Sequence, residues 1–181
     1  MLVFVAAVAP APPSVAWVER PNTNTQSLKV SANSAPVALR GPGLYIPQMI
    51  YPFDPSVISD RWGPRGKPCS TCSAFHEGVD FNPGYGANIP AVMNGKVIEA
   101  EYSGSLGVHV FIDDGYGLVT MYGHMIDGSL QVVVGQKVIQ GQFIGQVGST
   151  GSSTGAHLHF AIQQDGVVVD PLPVLDSNPN R

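Results

Sequence analysis

The chain has 181 residues, of which 12% are charged, and its formal net charge is −4. Such a surface has no basic footprint for nucleic acid and no polybasic patch for anionic lipids, so neither is expected as the main partner. Glycine (21 residues) and proline (16 residues) are abundant. Strong helix formers are too few for a helical bundle, and the many glycines suit short strands joined by turns.

The first 50 residues differ in composition from the rest. Residues 1–9 are apolar and resemble the core of a secretory signal, and residues 14–16 would serve as a small-residue cleavage site, although the usual basic residues are missing. We interpret residues 1–16 as an incomplete signal-like segment that favours export. Residues 17–50 are Pro-rich and polar, and are predicted to form a linker or irregular N-terminal segment. No apolar run approaches the ~20 residues of a transmembrane helix.

Beyond residue 51, short β-like runs follow one another with glycine or Asp-Gly between them and no helical pattern. This spacing predicts an all-β domain, an antiparallel β-sandwich or open barrel with a central groove, over residues 51–175, followed by a tail at 176–181. The Asn94-Gly95 dipeptide is a turn or hairpin signal. The runs are residues 92–99, 108–112, 118–122, 130–134, 138–139, 143–147 and 167–169.

The two cysteines, Cys69 and Cys72, are separated by two residues. A structural zinc site would need a second Cys or His pair, and a thioredoxin-like pair would need a βαβ context; neither is present. We predict either a local disulfide or two free thiols that border the functional site. A disulfide would indicate an oxidising compartment.

The most informative stretch is residues 151–162, in which His157 and His159 precede an apolar run. Side chains two apart in a β-strand point to the same face. Two neighbouring imidazoles on a rigid strand suit metal binding or acid–base catalysis, whereas the alternative is a pair of surface histidines on an edge strand.

A second motif places His76 and Asp80 four residues apart, with Gly78 between them. In a strand both side chains share one face, and the glycine leaves open space above the backbone. A helix would align them too, but Gly78 and the following Asn-Pro-Gly oppose one. Glu77 then points away from His76 and is a weak candidate for a catalytic base.

A third motif places Tyr122 and His124 on one face at the end of a strand. Alone, His124 would be read as a surface histidine, as is His109, which we interpret as structural or surface. Three strand segments with histidine on one face, together with a carboxylate, make a common ligand set for catalytic zinc.

In this combination the sequence resembles the lysostaphin-type, or LytM-like, zinc metallopeptidases of peptidase family M23. The resemblance extends over about residues 59–172. It rests on His76-x-x-x-Asp80, Tyr122-x-His124, Gly135-Gln136-x-Val138, Gly141-Gln142-x-Ile144-Gly145 and the glycine-rich loop that leads into His157-x-His159-Phe160.

The resemblance implies one zinc ion bound by His76, Asp80 and His159. It implies that His157 takes a proton from water and returns it to the leaving amine, and that His124 donates to the oxyanion. It leaves Tyr122 as a less certain substrate-binding residue. Zinc would lower the pKa of the attacking water and polarise the scissile carbonyl.

The function implied by the resemblance is a zinc-dependent endopeptidase that hydrolyses peptide crosslinks of bacterial peptidoglycan. We expect a monomer secreted to the cell wall or periplasm, of bacterial or phage origin. The scissile bond, Gly–Gly or D-Ala-containing, is left open. Two alternatives remain: a non-catalytic activator or binding module of the same fold, and a zinc-dependent amidase that cuts the sugar–peptide link.

Overall fold

The structure, a computed structural model, describes residues 48–67, 70 and 72–177. The predictions for residues 1–16, for all but the last three residues of 17–50, for Cys69 and for residues 178–181 fall outside this part of the chain. Within the described part, none of the helices combines the length and apolarity needed to cross a bilayer.

The described residues are mostly β-structure, which confirms the predicted fold class. A short helix, α1 (Pro171–Asp176), follows the last strand, and two single 3₁₀ turns cover Pro55–Val57 and Gly104–Leu106. The strands are β1 (Ile58–Asp60), β2 (Gly63–Pro64), β3 (Phe75–His76), β4 (Val79–Phe81), β5 (Asn88–Pro90), β6 (Gly95–Ser103), β7 (Gly107–Gly115), β8 (Leu118–Met125), β9 (Lys137–Val138), β10 (Phe143–Gln146), β11 (Leu158–Gln164) and β12 (Val167–Val169).

Eight of these strands form one antiparallel sheet in the order β1-β4-β11-β8-β7-β6-β9, with β12 also paired to β11. Two small sheets pair β5 with β10 and β2 with β3. Strand β11, which contains the second histidine of the pair, therefore lies between β4 and β8. Those two neighbours contain Asp80 and His124, so the topology brings three of the sequence motifs to one place.

The core lies on one face of this sheet, and β11 shows why. Leu158, Phe160 and Ile162 are fully buried, whereas His159 alternates with them and points to the other face. The Phe160 ring packs against Tyr122 with a centroid distance of 5.4 Å. Each such side chain contributes about 1.5–3 kcal/mol on burial. The strand that presents His159 is thus fixed by its apolar side.

Most of the predicted β-runs are strands, but two expectations are wrong. Asn94-Gly95 does not form a hairpin; β6 begins at Gly95, and the Asn94 side chain accepts a hydrogen bond from Gln140 N instead. Residues 130–134 form no strand, because Gln131 N donates to a neighbouring strand while Val133 N donates to a glutamine side chain, so no ladder develops.

Asp114, on β7, is a buried carboxyl group distant in sequence from the histidine motifs. It is 5% exposed, and neither carboxylate oxygen has a well-formed hydrogen bond within the described residues. Burial raises the pKa of Asp114 to about 8, and the nearby Thr120 lowers it only in part. The folded protein therefore favours the protonated, neutral form of this carboxyl group.

Replacing Asp114 by asparagine is expected to raise the free energy of unfolding at pH 8 by about 1–3 kcal/mol. In the folded chain the carboxyl group holds its proton up to about pH 8, against an ordinary value of 3.8. The unfolded chain binds fewer protons between these two values, so stability of the unchanged protein falls as the pH rises through them. Urea unfolding of both proteins from acidic to alkaline pH measures the difference.

The matched control is Asp113→Asn, because Asp113 is the adjacent carboxyl group but is exposed. Its stability should still fall as the pH rises, with only a small displacement of the curve, because the charge of Asp113 is the last and smallest of the causes that shift the pKa of Asp114. Parallel pH curves for the Asp114 variant and the unchanged protein would contradict the prediction.

Candidate metal centre

Three ligand atoms from three strands converge on the face of the sheet opposite the core. His76 Nε2 lies 3.0 Å from Asp80 Oδ1 and 3.0 Å from His159 Nδ1, and the last two atoms are 2.9 Å apart. The register of β11 against β4 places His159 directly opposite Asp80, so their side chains meet as a cross-strand pair. The backbone pairing of β4 with β11 therefore fixes the positions of Asp80 and His159 relative to each other.

The donor set fits zinc. Two imidazole nitrogens and one carboxylate oxygen are typical ligands of catalytic zinc, and bonds of about 2.0–2.1 Å would place tetrahedral ligand atoms roughly 3.3 Å apart. The observed separations of 2.9–3.0 Å need only a small expansion. His76 Nδ1 donates to the Arg61 carbonyl at 2.9 Å, which leaves the Nε2 lone pair for a metal.

Asp80 is ionised in this setting. Burial raises the pKa of its carboxyl group, but the close imidazoles of His159 and His76, together with the nearby His157, outweigh burial and hold the pKa well below its usual range. A metal ligand must be deprotonated, so this environment suits the role. The second oxygen, Oδ2, lies 3.6 Å from His157 Nε2 and 3.7 Å from Arg65 Nη1.

Gly78 makes room for the ligand group. A Cβ at this position would lie 2.6 Å from His159 Cε1 and 2.7 Å from the Phe160 carbonyl oxygen. The predicted single strand is divided here into β3 and β4, yet His76 and Asp80 still converge, and no helix forms. The glycine is needed for the close approach of β11.

The other two predicted site histidines stand beside this group. His157 Nδ1 donates to the Gly155 carbonyl at 2.8 Å, and its Nε2 faces Asp80. His124 Nδ1 donates to the Thr150 carbonyl at 2.7 Å, and the centroids of the two rings are 4.6 Å apart. Burial, followed by the charge of His157, lowers the pKa of His124 to about 4.

Thr150 fixes the position of His124, a role that the sequence alone did not reveal. Its hydroxyl donates to the Met125 carbonyl at 2.7 Å and accepts from Val108 N at 2.9 Å. These bonds tie the glycine-rich loop to β7 and β8 while the Thr150 carbonyl accepts from the imidazole. The available signal was the threonine within a loop of glycine and serine.

Tyr122 does not lie at this site, and the expectation that it shares a face with His124 is wrong. Its side chain is fully buried, and its hydroxyl accepts a hydrogen bond from Val92 N at 3.0 Å. His124 has a φ of 59°, in the left-handed region, which breaks the alternation of β8 after Tyr122. The position of Tyr122 does not favour the substrate-binding role predicted for it.

Glu77 and His109 lie outside the ligand group. Glu77 is exposed on the wall of the adjoining cavity. His109 is 2% exposed; its Nδ1 donates to the Gly107 carbonyl and its Nε2 lies 3.2 Å from Glu99 Oε2. Although Glu101 lies close enough to complete a second possible ligand group, His109 links β6 to β7, which agrees with its structural interpretation.

The ligand group opens into a cavity of about 360 Å³. Cys72, which is disulfide-bonded, lies on its wall with Sγ 4.0 Å from the Ser152 carbonyl oxygen. The remaining wall is partly apolar and partly polar, and is formed by Arg65, Ser73, Phe75, His76, Glu77, Ser105, Leu106, Met121, His124, His159, Ala161 and Val168.

The family model of peptidase family M23 matches residues 74–171, which is more than half of the chain. The match includes the three ligand residues and the two adjacent histidines: His76, Asp80, His159, His124 and His157. The chain belongs to peptidase family M23. The resemblance stated from its motifs is thereby confirmed, and the chain is a member of a family of metallopeptidases.

Individual M23 proteins are similar over most of the described part. A glycyl-glycine endopeptidase, ALE-1, of Staphylococcus capitis is 37% identical over 109 residues, covering 56% of this chain and 29% of the relative. The DD-carboxypeptidase/endopeptidase Mpg of Neisseria gonorrhoeae is 33% identical over 117 residues, covering 65% of this chain and 26% of the relative. The chain spans about a quarter to a third of the length of the curated relatives it matches.

A solved structure, a zinc-containing peptidase from Vibrio cholerae, is similar in fold, with a TM-score of 0.60 and 31% identity. The match covers 68% of this chain and 39% of that one. The similarity extends the sequence match to the arrangement of the strands.

Proposed function

We propose that the chain is a zinc-dependent endopeptidase that hydrolyses peptide crosslinks of bacterial peptidoglycan. The observation that supports this most directly is the convergence of His76 Nε2, Asp80 Oδ1 and His159 Nδ1 within 3.0 Å of one another. Two further histidines, which are not part of this group, lie next to it. A ligand set with adjacent acid–base groups is the arrangement that metal-assisted hydrolysis needs.

Zinc held by His76, Asp80 and His159 would supply Lewis acidity, which polarises a scissile carbonyl and lowers the pKa of water. The chain itself supplies the proton carrier. His157 donates from Nδ1 to the Gly155 carbonyl, so its Nε2 presents a lone pair on the side that faces Asp80. We assign His157 Nε2 to accept the proton of the attacking water and to return it to the leaving amine.

His124 is the second acid–base group. Its Nδ1 donates to the Thr150 carbonyl, so Nε2 can donate to an oxyanion only when the ring is protonated on both nitrogens. The predicted oxyanion role therefore requires that His124 first gain a proton during the reaction. We retain this role with that requirement, and the second proton would come from solvent, because the proton that His157 accepts is the one returned to the leaving amine. The pKa of His124, lowered to about 4 by burial and by the charge of His157, makes the doubly protonated ring a minor form at neutral pH.

The substrate class follows from the family and not from a side-chain pocket of evident specificity. The similar proteins include one named for glycyl-glycine bonds and one named for DD-peptide bonds, so the proposal extends to peptide crosslinks as a class. We propose that the chain acts outside the cytoplasm as a monomer. The disulfide at Cys72 supports the first part, since such bonds persist in oxidising compartments.

The test is digestion of purified peptidoglycan by the zinc-loaded protein, followed by mass spectrometry of the products. New amino termini within peptides are expected, and they should disappear after chelation and return on addition of zinc. Freed lactyl ends would establish an amidase instead. If the purified protein binds no zinc and yields no product even after zinc is added, the non-catalytic module would be established instead.

A further inference from the structure

A pair of charged residues, Asp60 and Arg65, lies beside the metal ligands, and Arg65 also lines the adjoining cavity. Strand β1 pairs with β4 so that Asp60 stands opposite Asp80. Arg65 Nη1 hydrogen-bonds to Asp60 Oδ2 and lies 3.7 Å from Asp80 Oδ2. Arg65 N donates to the Ala74 carbonyl at 2.8 Å, which holds this segment against the strand that leads to His76.

Arg65 faces Asp80 Oδ2, the carboxylate oxygen that is not part of the ligand group. Asp80 directs Oδ1 towards His76 and His159, while Oδ2 faces Arg65 Nη1 at 3.7 Å and His157 Nε2 at 3.6 Å. A carboxylate can bind a metal through one oxygen or through both, and the second oxygen would take the coordination position that a catalytic site keeps open for water. A guanidinium beside Oδ2 favours binding through Oδ1 alone.

The guanidinium is itself held in place. Asp60 accepts from Arg61 N through Oδ1 at 2.9 Å and binds Arg65 through Oδ2. The Arg65 side chain is 23% exposed, and its Nε is buried without a hydrogen-bond partner in the described part of the chain. An arginine on a free surface would turn this N–H to water, so the contact with Asp60 dictates where the group lies.

We propose that Arg65 is a positioning residue for the metal centre: anchored by Asp60, it holds Asp80 Oδ2 and restricts Asp80 to coordination through Oδ1. The inference rests on the proposed zinc site and adds a role for two residues that the sequence motifs do not include. Arg65 acts through Asp80, and Asp60 acts by anchoring Arg65. Asp60 Oδ2 also lies 3.7 Å from His76 Nδ1, so the Arg65 variants are the direct test of an action through Asp80.

The two possible roles of Arg65, as a repelling charge or as a positioning contact, predict opposite changes in zinc affinity when the arginine is removed. A cation near a metal ion repels it, so a neutral residue at position 65 would tighten zinc binding if charge were the only factor. A lost positioning contact weakens binding, because outer partners of metal ligands typically contribute 10–100-fold in affinity. The sign of the change in affinity therefore distinguishes the two cases.

The experiment measures zinc affinity of the full chain by competition with a chromophoric chelator, and records the visible absorption of the cobalt-substituted protein. For Arg65→Gln we expect zinc affinity to fall by about 10–100-fold and the cobalt bands to weaken as the coordination number rises. Arg65→Lys should recover part of the affinity. Asp60→Asn should act in the same direction, and the double variant should lose little more than either single variant.

Arg61→Gln is the matched control, because Arg61 is the nearby arginine whose side chain is exposed; it should bind zinc as the unchanged protein does. Unchanged or tighter zinc binding by Arg65→Gln, with unchanged cobalt absorption, would overturn the proposal. If that variant does not fold, as judged by thermal unfolding without metal, Arg65→Lys and Asp60→Asn decide it by the same measurements. Absence of zinc binding in the unchanged protein would refute the proposed function instead.

Discussion

Replacing His159 by alanine is expected to abolish stoichiometric zinc binding and to lower peptidoglycan hydrolysis by at least about 10³-fold. Its Nδ1 is one of the three ligand atoms that converge within the described part of the chain, and a site with two protein ligands does not retain the Lewis acidity that contributes several kcal/mol to the transition state. Metal analysis of the purified variant, together with turnover of crosslinked peptide, measures both effects.

His109→Gln is the control for the loss of a histidine, because His109 is buried in the same sheet but lies outside the ligand group. It should retain one zinc ion and normal turnover, apart from a change in stability. A His159 variant that keeps a full equivalent of zinc would contradict the ligand assignment.

Replacing His157 by alanine is expected to leave zinc content unchanged while lowering kcat by about 10²–10⁴-fold, the range in which a general acid–base group contributes. The residue lies two positions from His159, yet its Nε2 is 3.6 Å from Asp80 Oδ2 and its Nδ1 is engaged by Gly155. The variant thus separates proton transfer from metal binding. Steady-state kinetics and metal analysis on one preparation test both statements.

A large rise in KM with little change in kcat would assign His157 to substrate binding instead of proton transfer. Loss of zinc from this variant would place His157 among the ligands. Thr150→Ser, which keeps the hydroxyl that ties the loop to β7 and β8, serves as the control for disturbance of the loop and should retain most of the activity.

Much of the site could be predicted because its chemistry lies in short, ordered motifs. His76 and Asp80 are four residues apart, His157 and His159 are two apart, and strand periodicity places each pair on one face. The structure brings all four together by pairing β4 with β11. The separate roles of the two neighbouring histidines came from family resemblance, and the distances now give each a distinct partner.

The failures have local physical causes. Alternation predicts a common face for Tyr122 and His124, but it assumes regular backbone, and His124 adopts a positive φ. Helix α1 was not anticipated, although its sequence contains the signals: Asp170 accepts from Leu172 N at 3.0 Å and Pro171 occupies the first helical position. The two prolines among these six residues argue against a helix, but the short helix forms and is stabilised by burial of Leu175.

Arg65 could not be found from periodicity. It follows the two-residue strand β2 in a loop, and its partner Asp60 is on an edge strand; only tertiary pairing of β1 with β4 brings both next to Asp80. Charged residues five apart in an irregular segment are ordinarily interpreted as solvated, and no sequence pattern distinguishes this pair.

The small sheet formed by β2 and β3 has a mechanical consequence. His76 belongs to that sheet, whereas Asp80 and His159 belong to the eight-stranded one, and among the described residues no ladder hydrogen bonds join the two sheets. A shared zinc ion would therefore link the β2–β3 ribbon to the eight-stranded sheet. Chelation would loosen the ribbon while the core sheet stays folded, so the availability of metal would set how rigidly one wall of the cleft is held.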